Sequence, residues 1–169
     1  GLEAELRPAL GEQMQNGLRL SVAASVIRAE ATGPRDSFIA SELQGLHARA
    51  VHRVMKVLAL SYDPKRIATI DTALLSDNPA RRSSALELLE GTITPASGIL
   101  IMPFMDIVAE GMPLQRTIDL LPNGRSVQKA PAEALQESSD WWTRALALHQ
   151  LGRDTEIALP GLSKDEQTK

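Results

Sequence analysis

Apolar residues recur along this chain at helical spacing. Leu2, Leu6, Leu10 and Met14 fall four apart and predict a helix over Leu2–Met14, with Pro8 marking a late start or a kink. A second helix is expected over Leu18–Ala31, stopped by Thr32-Gly33-Pro34. Asp36 or Ser37 then offers a cap for a long helix reaching about Ser61. Its stripe is Ile39, Leu43, Leu46, Ala50, Val54 and Val57, widened by Val51, Met55 and Leu58, which suits a helix buried between two neighbours. Turns at Tyr62-Asp63-Pro64 and Asp77-Asn78-Pro79 bracket a helix over Lys65–Leu75 and open another over Ala80–Glu90. Further helices follow over Ala96–Glu110, bent or broken near Pro103, and over Pro113–Leu121, Pro131–Glu137 and Asp140–Leu151. Pro122-Asn123-Gly124-Arg125 reads as a loop. No alternating strand pattern stands out, so the fold class is all-α.

Two of these helices repeat a pattern. Asn78–Leu89 aligns with Asp140–Leu151 without a gap, and Arg82/Arg144, Ala85/Ala147, Leu86/Leu148 and Leu89/Leu151 are identical. These positions share one helix face, where a small alanine admits a neighbouring helix and the leucines fill the groove. Asn78 and Asp140 each stand where a helix cap belongs. An array of helical repeats needs such faces, because no repeat buries its own.

The pattern resembles HEAT repeats, whose second helices open Asp-Pro-x-x-Arg and continue to Ala-Leu. Asn78-Pro79 and Asp140-Trp141 occupy the Asp-Pro place, and Arg82 and Arg144 the arginine. More narrowly, Leu58–Asp106 is similar to the HEAT-like module attached to bacterial transporters of the ATP/ADP-translocase-like and major-facilitator type, often beside a cyclic-nucleotide-binding domain. Ala59–Pro64, Leu75–Arg82, Ala85–Glu90 and Ile101–Asp106 carry that likeness, and Trp142, Thr143 and Arg144 look like a later repeat of the module. The resemblance implies an α-α superhelix of antiparallel helix pairs. Residues 1–159 would form one domain, with capping helices over 1–35 and repeats over 36–159, followed by a flexible tail over 160–169.

Composition narrows the chemistry. The 169 residues contain no cysteine, which removes disulfide scaffolds, thiolate zinc sites and thiol nucleophiles. A net charge of −3 gives no overall field to hold a phosphate backbone, and aromatic residues at 3% make a poor stacking platform for single-stranded nucleic acid. No stretch is long and apolar enough for a membrane span, and the N-terminus has no leader pattern. Opening on Gly1 without Met suits a piece of a larger protein.

No nucleophile elbow, phosphate loop or dinucleotide fingerprint is present, so no catalytic residue and no cofactor is assigned. His47 and His52 are five apart, on different faces of a helix, so they do not form a chelating pair, and no metal site is assigned. His52 and His149 read as surface or partly packed imidazoles. Arg82 and Arg144 lie on the apolar stripe and read either as anion ligands or as structural arginines bonded to carbonyls at a repeat junction. Arg81 points away from that stripe, towards solvent.

Partner-binding candidates are Trp141, Arg81 and the basic stripe Arg49, Arg53 and Lys56. The stripe suits a phosphate or acidic partner, or simply a solvated face. Trp141 and Trp142 point about 100° apart on a helix, so Trp142 is expected to pack between repeats and Trp141 to stand out as an anchor or an end cover.

The leading expectation is a non-catalytic interaction module, docking a protein or an adjacent domain of the same polypeptide. It would be cytoplasmic, or tethered to the membrane through a parent protein. A regulatory domain sensing a nucleotide or other anion, and a HEAT-like DNA glycosylase, are the alternatives.

Overall fold

The computed structural model describes residues 2–152 and Ile157. Among the described residues it is all-helical, with α1 Leu2–Glu30, α2 Pro34–Leu58, α3 Pro64–Leu74, α4 Pro79–Glu90, α5 Pro95–Ala109, α6 Leu114–Leu120, α7 Gly124–Lys129, α8 Pro131–Leu135 and α9 Trp141–Gln150. The tail over 160–169 and the last residues of the expected domain lie outside the described residues.

α1 runs unbroken where the sequence pattern predicts two helices. Pro8 removes one backbone bond, but the carbonyl it frees belongs to exposed Ala4, where water can replace the lost partner. Pro103 is accommodated inside α5 in the same way, because the carbonyl it frees is that of Ile99, which is 83% exposed. Gly17 lies between the two stretches expected as separate helices and serves as a crossing point. A Cβ there would come within 3.3 Å of both Ala50 on α2 and the Phe104 ring on α5, so its absence lets the helices close up.

α1 and α2 form a long antiparallel hairpin with a separate cluster on each side. Leu18, Val22 and Val26 on α1 join Val51, Val54, Met55 and Leu58 on α2, and α3, α4 and α5 cover them. Leu20, Ala23, Ala24 and Ile27 join Ile39, Ala40, Leu43 and Leu46, which α8 and α9 cover through Leu135, Leu146 and Ala147. The wide stripe expected of α2 is thus shared out along its length, the first half facing one cluster and the second half the other. α1 also touches α5, α6, α7 and α8, and α9 returns to α2.

Local chemistry fixes the ends. α2 begins at Pro34 with Gly33 before it, earlier than the expected cap. Asp36 instead lies in the first turn and accepts the Thr32 N–H at 3.0 Å. That N–H holds the Asp36 carboxyl below its ordinary value. α5 ends at left-handed Gly111, with φ of 86°, and the Met112 N–H then reaches the Ile107 carbonyl at 2.9 Å. The stretch expected as a loop at Pro122–Arg125 contains the start of α7. Gly124 makes this possible, since a Cβ there would lie 2.2 Å from the Ile118 carbonyl oxygen.

Candidate functional site

The two matching helices carry the same bonded module at their starts. The Asn78 N–H donates to Ser76 Oγ and the Asp140 N–H to Ser138 Oγ, both at 3.2 Å. Asn78 Oδ1 accepts the Ala80 and Arg81 N–H groups at 2.9 and 3.3 Å, while Asp140 Oδ2 accepts the Thr143 N–H at 2.8 Å and its hydroxyl at 2.7 Å. Arg82 Nη1 donates back to the Ser76 carbonyl at 2.9 Å, and Arg144 Nη1 to the Ser138 carbonyl. Both arginines therefore have carbonyl partners six residues upstream, which is the bonding expected of structural arginines. Arg82 also donates from Nε to the Ala109 carbonyl at 2.8 Å, supplying a cation to the open carbonyl end of α5. Ser76 and Ser138 belong to the module as fully as the caps. Their matching position, two residues before each cap, was the available signal.

Of the matching apolar positions, Ala85, Leu89 and Ala147 are buried, and Leu86, Leu148 and Leu151 are half-buried. Trp142 packs on the second cluster and donates from Nε1 to Glu42 on α2 at 3.1 Å. Trp141 stands edge-on to it with ring centroids 5.4 Å apart and is 39% exposed.

The basic stripe divides. Arg49 and Lys56 are exposed on one face of α2. Arg53, also exposed on that face, in addition lines a cleft of about 600 Å³ between α1, α2, Asn123 and the α8–α9 segment. Its walls bring Arg19 and Arg53 together with Glu12, Glu133, Glu137 and Asp140. No ion pair joins either arginine to a carboxylate among the described residues. The Oε1 atom of Gln13, another lining residue, is buried without a partner. A cleft with free cations, carboxylates and an unsatisfied acceptor suits a polar ligand or chain segment that brings charges of both signs. Arg81 lies elsewhere, in a shallow groove of about 330 Å³ between α3 and α4, beside Thr69, Ala73, Ala80, Ser84 and Leu88. The partner-binding candidates thus fall on separate surfaces.

The three histidines have different fates. His47 is buried, with Nδ1 at 2.9 Å from the Gly17 carbonyl oxygen, and burial pushes its imidazole below the ordinary value. His52 is paired through Nδ1 with Asp71 on α3, a carboxylate that is 7% exposed. His149 is half-buried on α9. Asp71 was not singled out from the sequence, although it breaks the apolar stripe of α3 beside Ile67, Ile70 and Leu74. No group of three or more His, Asp or Glu side chains able to hold a metal occurs among the described residues.

No family model, curated protein or solved structure matches this chain. No helix among the described residues is long and apolar enough to cross a membrane.

Proposed function

We propose that this chain is a non-catalytic interaction module built of HEAT-like helix pairs, and that it docks a polar segment of a protein partner or of an adjacent domain. The cleft between α1 and α8–α9 carries this reading. It is formed from stretches far apart in the chain, and its cations are not used up by its own carboxylates. The shared module at the starts of α4 and α9 supports the HEAT-like part, since it sits where that family's second helices begin. By its resemblance to transporter-linked modules, we place the domain as an accessory or regulatory part of a larger transporter-like protein on the cytoplasmic side.

A regulatory domain sensing a nucleotide or another anion is the second reading, favoured by unpaired Arg19 and Arg53 in that cleft. A HEAT-like DNA glycosylase draws less support. Trp142 is held by Glu42, and neither tryptophan lines the cleft.

A photo-crosslinking residue at Glu137, in the cleft, and another at the remote, exposed Ile99 separate the readings in source cells. Polypeptide adducts from position 137 and none from 99 are expected. Adducts from neither site, together with a rise in melting temperature on adding nucleotides, would move the assignment to the anion-sensing domain. Immunoblots of membrane and soluble fractions test the larger protein, which predicts a membrane-bound band well above the size of this chain.

A further inference from the structure

His52 and Asp71 form an arrangement that helical scaffolding alone does not require. Asp71 is a buried carboxylate between α2 and α3. One of its oxygens pairs with His52 Nδ1, and the other, Oδ1, is buried without a partner. Burying an acid with half its acceptor capacity unused is costly, and an apolar residue here would continue the stripe of Ile67, Ile70 and Leu74. The imidazole is held at one nitrogen only. Its side chain is 47% exposed, and Nε2 has no hydrogen-bond partner among the described residues.

A carboxylate at Nδ1 selects the tautomer with the proton on that nitrogen, which leaves the Nε2 lone pair facing outward. Arg49, three residues before His52, and Lys56, four after it, share its face of α2, and both are exposed without an ion pair among the described residues. An outward lone pair between two cations suits attack on an anionic electrophile.

We propose that His52 is a phosphoryl-accepting histidine, modified on Nε2 by a donor of the acyl-phosphate or phosphoramidate class. The Nε2 lone pair attacks phosphorus and forms the N–P bond. The P–O bond of an acyl phosphate breaks, and its electron pair leaves on the carboxylate. With a phosphoramidate the P–N bond breaks, and ammonia leaves from the protonated nitrogen. The Nδ1 proton stays between the ring and Asp71, whose charge offsets the positive charge that the ring acquires. Arg49 and Lys56 receive the phosphoryl oxygens. Asp71 acts here as a positioning residue. The site adjoins the docking cleft through Arg53, but His52, Asp71, Arg49 and Lys56 are not among the cleft's lining residues, so modification of His52 and crosslinking from Glu137 test the two readings separately.

The test incubates the full chain with acetyl phosphate and with phosphoramidate. Intact mass and acid-labile peptide mapping follow modification, and His149 serves as the internal comparison. The expected result is one phosphoryl group, on His52 Nε2, with His149 reacting far more slowly. Nitrogen-15 spectra should show the Nδ1–H tautomer at His52. Asp71→Asn should lose that tautomer preference and slow modification by about tenfold or more. Should Asp71→Asn fail to fold, the exposed pair Arg49→Gln and Lys56→Gln keeps the test open. That variant should melt like the parent and accept phosphoryl groups several-fold more slowly. No modification at His52, equal rates at His52 and His149, or unchanged rates in both variants would overturn the proposal.

Discussion

Helices α4 and α9 begin with the same bonds and then meet different surroundings. In each, a serine hydroxyl receives the N–H of the cap, the cap receives N–H groups of the first turn, and an arginine reaches back to the serine carbonyl. Beyond this module they diverge. α4 buries Ala85 and Leu89 against the larger cluster and leaves Ser83 and Ser84 exposed. α9 buries Thr143, Ala145, Leu146 and Ala147, because α8 and α2 both pack against it. The position of Leu89 is taken in α9 by Leu151, which ends the helix half-buried. A repeated helix start is thus a local device, and what the helix does afterwards depends on its neighbours.

The largest expected contrast is at those leucines. Leu89→Ala should cost about 2–5 kcal/mol, the range for emptying a filled core site, whereas Leu151→Ala should cost less than half as much. Denaturant unfolding of both variants checks this. Equal losses would break the contrast between the two helices.

The arginines come next. Arg82 serves two carbonyls, those of Ser76 and Ala109, while the bond of Arg144 goes to the Ser138 carbonyl. Arg82→Ala should therefore cost about 2–3 kcal/mol and Arg144→Ala about 1 kcal/mol. Arg82→Lys should recover little, because a point charge does not reproduce a fork that reaches two acceptors. Thermal melts of the three variants separate the cases.

A smaller effect sharpens the likeness instead. Asn78→Ala and Asp140→Ala each remove a side-chain cap and should cost the same, about 1 kcal/mol. A clear difference between them would show that the shared module is not energetically equivalent at the two sites.

The mildest effect belongs to the α1–α2 hairpin. Burial holds the His47 imidazole below the ordinary value of 6.5. Above that pH both folded and unfolded chains keep it neutral, and its contribution is complete. As the pH falls below 6.5, the unfolded chain takes up the proton first, so stability drops until the folded imidazole titrates at its own lower value. His47→Gln should flatten that acid limb in pH-dependent unfolding.

Much of this was legible along the chain. The proline-led starts of α3, α4 and α5 lie within a residue of where turn chemistry put them. Arg82 and Arg144 share one register, which left anion ligands and structural arginines both open, and each reaches back to a serine carbonyl. The misreadings have a common cause. Pro8, Pro103 and Gly124 were read from local propensity as a late start or kink, a bend or break, and part of a loop, yet each sits where exposure or a close approach makes its backbone suitable. The cleft and the His52–Asp71 pair were not visible, because they join residues from separate helices.

The sequence by itself determined the helical class, the periodic faces and the local caps, since those depend on residues within a turn or two of each other. Only the tertiary structure decided which part of the α1–α2 hairpin received α3 and which received α9. It alone placed Arg53 in a cleft while Arg49 and Lys56 stayed outside, and set Asp71 beneath His52. Those outcomes depend on how whole apolar faces divide among competing neighbours. Burial is a property of the assembled surface, so no single stretch of sequence encodes it.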